Sequence, residues 1–436
     1  MSETRDLPPT LQAVASCIAG YDPNALSVAQ AQEFVARFVP RVSAVERIAL
    51  RACLGRVLAR DIVSGIDVPS HDNSAMDGYA LRGADLASEG DTLLDLAGTG
   101  LAGQRFEGEV PPRHAVRIMT GALMPAGLDT VVPQEFTRMN GTRVCIPHGV
   151  VSTGDNRRLR GEDLARGEAA LRAGRILRPA DIGLMASLGQ AEASVYRRLR
   201  VAFFSTGDEL RSIGEPLDAG CVYDSNRYTL HAMLTRLGVE LIDMGVVRDE
   251  PAALESAFSE AARCADAIVT SGGVSVGEAD YTRQVMARLG EVAFWRIAMR
   301  PGRPMAFGRI GTGGGTGGTG AVLFGLPGNP VAVMVTFYAF VRDALLAMSG
   351  AHAQPLPMLR ARSIAPIRKK PGRTEYQRGI VSRNEDGDWD LTLTGAQGSG
   401  ILRSMSMANG LVVLHHGQGN VGAGERVDVL PFDGLM

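Results

Sequence analysis

The chain has 436 residues, 45% of them apolar and 21% charged, with a net charge of −2. That length exceeds one ordinary hydrophobic core, so roughly two to four domains are expected. The near-zero charge gives no electrostatic case for general nucleic-acid or membrane-surface binding, and no apolar run reaches the roughly 18 residues of a membrane span.

The first 13 residues are polar and carry Pro8 and Pro9. They lack the basic start and apolar middle of a secretory signal, which leaves the cytoplasm as the default. Residues 27–65 are expected to be helical. Ser27 can cap the start, and Val28, Phe34, Val35 and Phe38 recur at near-helical spacing. A second periodic stretch runs through Ile48, Leu50, Leu54 and Leu58. Glycine and proline then become frequent, and Asn140-Gly141 between 136–139 and 142–146 signals a hairpin. A small, mostly β subdomain is expected at 66–153. Short elements of helical character return at 160–195, clearest at 177–188. Residues 1–65 and 154–196 are therefore expected to form one discontinuous helical and linker domain.

From Arg200 strands and helices alternate. Strands are expected at 201–204, 239–247, 267–269, 292–297 and 321–324, and helices at 226–237, 251–265, 281–289 and 331–348. This predicts a doubly wound α/β domain with a parallel sheet over 197–350. Pro251 and Pro330 suit first-turn positions, and Asn329 can cap the last helix. The longest apolar run, 331–348, is interrupted by Arg342 and Asp343. The tract 311–320 is almost pure Gly and Thr and cannot bury apolar surface, so it reads as a surface loop or a strand-to-strand extension; no Lys-Ser/Thr pair and no helix follow it, which argues against a phosphate loop. Short strands at 358–362, 377–381, 390–393, 410–414 and 425–430 predict a separate β domain at 355–436. His415 and His416 read as strand-end residues, and the scattered Cys17, Cys53, Cys145, Cys221 and Cys264 suit neither a disulfide framework nor a zinc site.

Ligands of a parallel α/β sheet bind beyond the carboxyl ends of its strands. One such end is Ser205-Thr206-Gly207-Asp208-Glu209, a second is Arg248-Asp249-Glu250, and a third is the run TSGGVSVGEAD at 270–280. Ser271, Gly272, Gly273, Ser275 and Gly277 let backbone amides approach an anion closely. Glu209, Asp249 and Asp280 beside that anion imply a bridging magnesium ion, because carboxylates alone would repel it. Arg300-Pro301-Gly302-Arg303-Pro304 puts two guanidinium groups on a stiff turn that can hold an oxyanion.

These strings, with DNSAMDGY at 72–79, RIMTG at 117–121, RGED at 160–163, STGDEL at 205–210, DSNR at 224–227, RPGRP at 300–304 and LPGNP at 326–330, make the chain resemble the molybdopterin molybdenumtransferase family. That family includes the C-terminal domain of gephyrin, and the likeness runs from about residue 27 to the end. It implies an α/β multidomain fold. A central sheet domain of the molybdopterin-binding type would be flanked by an N-terminal helical and β region, a small β subdomain and a C-terminal β-barrel-like domain. It implies an enzyme that inserts molybdate into adenylylated molybdopterin with Mg2+ and releases AMP. Glu209, Asp249 and Asp280 are thereby assigned to magnesium and phosphate, and Arg300, Arg303, Arg378 and Ser399 to molybdate. Ser205, Thr206 and the 271–277 loop are assigned to the pterin phosphate. Pro327 and Pro330 are assigned to the cleft wall.

The resemblance also marks Asp77, Thr120 and Asp163 as functional, and it implies a homodimer whose cleft lies between subunits, with Asp77 and Thr120 crossing to the partner. Molybdopterin adenylyltransferase and molybdoenzyme maturation proteins are the further partners it implies. Three features depart from the family pattern. Arg300 and Arg303 stand where bacterial relatives commonly have lysines, exchanging point charges for planar forks. Ser70-His71 replaces a usual Gly-Phe, and 311–320 looks like an insertion. Two other functions share some of these signals: molybdopterin adenylylation, which uses the same type of α/β domain, and a non-enzymatic pterin-binding scaffold.

Overall fold

The computed structural model describes residues 9–274, 280–311, 320–352 and 356–432. Its centre is a six-stranded sheet in the order Glu240–Val247, Arg200–Thr206, Ala267–Ser271, Ala321–Leu326, Pro304–Ile310, Gly290–Arg296. The first four strands run parallel. Ala267–Ser271 and Ala321–Leu326 are buried at every position, as strands covered on both faces must be. Pro304–Ile310 runs antiparallel to both its neighbours, so the expected parallel sheet is mixed at one edge. The strand Pro304–Ile310 was not expected. It pairs with Ala321–Leu326 to make 311–320 the connection of a hairpin, and residues 312–319 of that tract lie outside the described residues.

Helices cover both faces. Pro251–Cys264 and Asp280–Leu289 contribute Phe258, Val285 and Met286 to one core. Ser225–Arg236 and Val28–Phe38 contribute Leu230, Phe34 and Phe38 to the other, where Trp295 stacks on Phe307 with ring centroids 5.0 Å apart. The apolar segment after Asn329 forms a continuous helix, Pro330–Met348, through a π-helical turn at Phe337–Val341. It has the length and composition of a membrane-crossing helix, contrary to the expectation that no run does, but 72% of it is buried inside the fold. It is the core helix of this sheet. Asn329 occupies its N-cap position without giving a side-chain hydrogen bond, and Pro330 opens it.

The expected helix over 27–65 ends at Phe38. Pro40 disfavours helical backbone in the residue before it, and Val39 is extended at ψ 129°. Ser27 does cap the start, in a capping box with Gln30. The second periodic stretch opens with a strand instead. Val45–Ala49 pairs antiparallel with Glu192–Tyr196, joining the two segments around a core of Cys53, Leu58, Met185 and Val195. Residues 78–146 supply a separate six-stranded sheet, including the 138–146 hairpin turned by Gly141. In the C-terminal region five strands close on themselves. Thr374–Arg383 pairs with both Trp389–Leu393 and Gly410–Leu414, and Leu359–Ser363 and Arg426–Pro431 complete the circuit. An unexpected helix, Leu402–Met407, lies between two of them. His415 follows the strand Gly410–Leu414 and its Nε2 lies 2.7 Å from Asp428.

Candidate active site

The carboxyl ends of the parallel strands open into a cleft of about 890 Å³. Strand ends supply Thr206, Glu209, Asp249, Ser271, Gly272 and Gly273, and Pro327 and Pro330 form the turn into the long helix. Arg300 comes from the turn before Pro304–Ile310, and Ser399 from a loop of the C-terminal domain. Sequence-distant residues meet here because parallel strands present all their carboxyl ends on one edge.

The loop after Ala267–Ser271 is built for glycine. Gly272 has φ +93° and Gly273 has φ +67°. A Cβ on Gly272 would stand 2.5 Å from the Thr206 carbonyl oxygen, and one on Gly273 would stand 2.7 Å from Thr282 Cγ2. The Gly272 amide donates to Leu326 O at 3.1 Å. Ser275 and Gly277 lie outside the described residues. Asp280 is placed as the first residue of the helix Asp280–Leu289.

The acidic wall is under electrostatic tension. Burial, then repulsion from Asp208 and Glu209, holds the Asp249 carboxyl above the usual carboxylate range. Its Oδ1 is buried without a hydrogen-bond partner. Among the described residues no group of three His, Cys, Asp or Glu side chains is assembled as a metal cage.

Ser205 and Arg378 sit beneath the cleft rather than in its wall. Ser205 Oγ lies 3.0 Å from both Asp224 Oδ1 and Ser271 Oγ, tying two strand ends to a helix start. Arg378 is fully buried. Its guanidinium donates to Ser404 Oγ at 3.0 Å and to the carbonyls of Gly398 at 3.0 Å and Ala396 at 3.4 Å. Arg378 therefore supports the loop that presents Ser399, whose own carbonyl accepts from the Val331 amide at 3.1 Å. No carboxylate pairs with Arg378 among the described residues, and burial followed by repulsion from Arg300 lowers its pKa. Two guanidinium groups are thus held near one another beside the cleft. Arg303 is exposed and lines no part of it. The chain reverses at Gly302, φ +94°, so the turn directs one of its two arginines to the cleft.

Asp77, Thr120 and Asp163 are exposed and do not line this cleft. Asp77 and Thr120 do meet each other: Asp77 Oδ1 accepts from the Thr120 amide at 2.6 Å and from its hydroxyl at 2.7 Å. Those two bonds, the amide first, hold the Asp77 carboxyl below its ordinary pKa.

Three family models cover nearly the whole chain: the MoeA N-terminal region (domains I and II) over 26–189, a probable molybdopterin binding domain over 202–347, and the MoeA C-terminal region (domain IV) over 360–432. The molybdopterin molybdenumtransferase of Haemophilus influenzae is 40% identical over 94% of this chain and all of its own length. The chain belongs to the molybdopterin molybdenumtransferase family. Molybdopterin molybdenumtransferase 1 of Mycobacterium tuberculosis is 34% identical over 88% of this chain and 93% of its own. The crystal structure of a molybdopterin biosynthesis MoeA protein from Pyrococcus horikoshii superposes with a TM-score of 0.76 at 27% identity, covering 93% of this chain and 99% of that one. The family's enzymes are transferases by name.

The string DSNR at 224–227 carries part of the family likeness but no role of its own in the sequence. The structure puts Asp224, Ser225 and Asn226 in the cleft wall, opposite the 397–400 loop in sequence but beside it in space. The available signal was an Asx-Ser-Asx turn opening a helix within a parallel α/β domain.

Proposed function

We propose that this cleft inserts molybdate into adenylylated molybdopterin, giving molybdenum cofactor and AMP. The observation that carries the reading is one cleft in which glycine-loop amides, a carboxylate wall and an arginine-bearing turn converge. The Gly273 amide suits the phosphate, the Gly272 amide being bonded to Leu326 O, and Arg300 with the Ser399 loop suits an oxyanion such as molybdate. Arg378 keeps that loop in place and adds unneutralised positive charge from below. The family matches over 26–189 and 360–432 support this reading over molybdopterin adenylylation, because that activity would need the central domain alone.

The acidic wall fits Mg2+. A buried, unpartnered Asp249 oxygen and repulsion from Asp208 and Glu209 are both relieved by a cation. Glu209 and Asp249 would hold it, joined by Asp280 on the family pattern. A bound divalent cation would neutralise phosphoanhydride charge as the leaving AMP separates. The chain's own part is to orient the phosphates on the glycine loop and to position the oxyanion beside them.

Asp77, Thr120 and Asp163 are absent from the cleft of their own chain, which supports a homodimer in which Asp77 and Thr120 reach the partner's cleft. The decisive assay is incubation with adenylylated molybdopterin, Mg2+ and molybdate, with AMP measured. Molybdate-dependent AMP release is expected; release no faster than the uncatalysed level overturns the reading.

A further inference from the structure

Three residues of the cleft wall carry buried oxygens without a partner, and two of them, on Asp224 and Asn226, are used by neither the phosphate nor the cation reading. Thr206 Oγ1, Asp224 Oδ2 and Asn226 Oδ1 have no hydrogen-bond partner. Their side chains are almost wholly buried, at 4%, 2% and 7% exposure. Buried polar atoms are normally satisfied, so each of these marks a place where a ligand or water completes the bonding.

Asp224 and Asn226 are also fixed in orientation. Asp224 Oδ1 accepts from Ser205 Oγ at 3.0 Å and from the Arg227 amide at 3.1 Å, leaving Oδ2 as the free end. No cation lies within ion-pair distance of Asp224 among the described residues. Asn226 donates through Nδ2 to Gly328 O at 2.6 Å, which leaves its Oδ1 as the free end. The two residues are the N-cap and the second residue of the helix Ser225–Arg236. The free ends are thus both acceptors, two residues apart at the start of one helix on the cleft wall. A carboxylate oxygen and an amide oxygen alike can only accept.

We infer that Asp224 and Asn226 form an acceptor face that reads the amino-pyrimidinone edge of the pterin. The inference rests on the proposed pterin substrate and adds which residues recognise its ring. That edge offers two adjacent donors, the ring N–H and the exocyclic amino group. The adenine edge of the same substrate alternates a donor with an acceptor, so it satisfies one of the two oxygens and repels the other. The Thr206 hydroxyl can donate or accept and does not discriminate between the rings.

The test titrates the full-length protein with molybdopterin and, separately, with AMP. Asp224→Asn keeps an oxygen for the helix cap but turns one acceptor into a donor. Asn226→Ala removes the other acceptor, and circular dichroism checks that both variants fold. Each is expected to weaken molybdopterin binding roughly tenfold or more while changing AMP binding less than about twofold. Unchanged molybdopterin affinity in either folded variant overturns the inference. So does an equal loss for both ligands, which is the mark of a merely structural hub. Wild-type AMP release is measured alongside. Turnover with unchanged variant affinities removes the acceptor face alone, whereas absent turnover with the expected affinities removes molybdate insertion and leaves the acceptor face standing.

Discussion

Asp249 and Asp77 are carboxylates with opposite electrostatic habits. Asp249 is held above the usual range by burial and by Asp208 and Glu209, so ionising it costs the native state. That cost is absent below the ordinary carboxylate range, grows as pH rises towards the raised native pKa, and is complete above it. Asp77 is held below the range by the Thr120 amide and hydroxyl. It contributes stability above the ordinary carboxylate pKa and loses it as pH falls through the lowered native value. Asp249→Asn should therefore melt higher than wild type at neutral pH, and Asp77→Ala lower, with both differences shrinking towards acid. Thermal melts across that pH span check both signs. Added Mg2+ should raise the wild-type melting temperature more than that of Asp249→Asn, and an equal response would remove Asp249 from the cation site. The sequence showed Asp249 as a strand-end carboxylate. It could not show the tension, because Asp208 lies 41 residues away and its nearness follows from sheet order.

At the level of elements, the cleft depends on how closely the 271–273 loop can lie against the end of the Arg200–Thr206 strand. Gly272→Ala would put a methyl group 2.5 Å from a backbone carbonyl in a left-handed conformation. Neither the carbonyl nor the φ of +93° can yield without moving a strand end. The variant is expected to lose roughly 1–3 kcal/mol in denaturant melts and to fall more steeply in phosphate-dependent substrate binding. Wild-type stability together with wild-type turnover would show that the loop is less constrained. The glycines were legible only in company, because a lone Ser-Gly-Gly run is more often a plain turn and it is the neighbouring carboxylate-bearing strand ends that point to a site. Other elements were not. Val45-Glu46-Arg47-Ile48-Ala49 carries an i, i+3 apolar pair that suits a helix as well as a strand, and only its partner Glu192–Tyr196 decides. Pro304–Ile310 was missed because it follows a proline-rich turn, and its pairing to both neighbours is a tertiary fact. Arg378 was singled out by family likeness alone. Nothing in its own stretch of sequence shows that it works from beneath the Ser399 loop.

On the scale of the whole molecule, the chain separates two sets of residues that one reaction would need together. Glu209, Asp249, Arg300 and Ser399 share a cleft, while Asp77 and Thr120 form an exposed pair elsewhere. A closed two-fold dimer resolves this if each cleft borrows the pair from its partner, since the same exchange then happens twice. That arrangement has a consequence no single-chain site can mimic. Asp77→Asn and Asp249→Asn should each abolish AMP release as pure proteins. In a mixed dimer, one cleft combines the intact Asp249 of the first variant with the intact Asp77 of the second, and the other cleft carries both lesions. Equal mixing with free exchange makes half the dimers mixed, so roughly a quarter of all clefts should recover. Activity in the mixture that rises from zero towards that level, with sedimentation confirming dimers, supports the shared cleft. Activity that stays at zero although subunits exchange would mean that Asp77 serves its own chain, and the exposed pair would then need a different role.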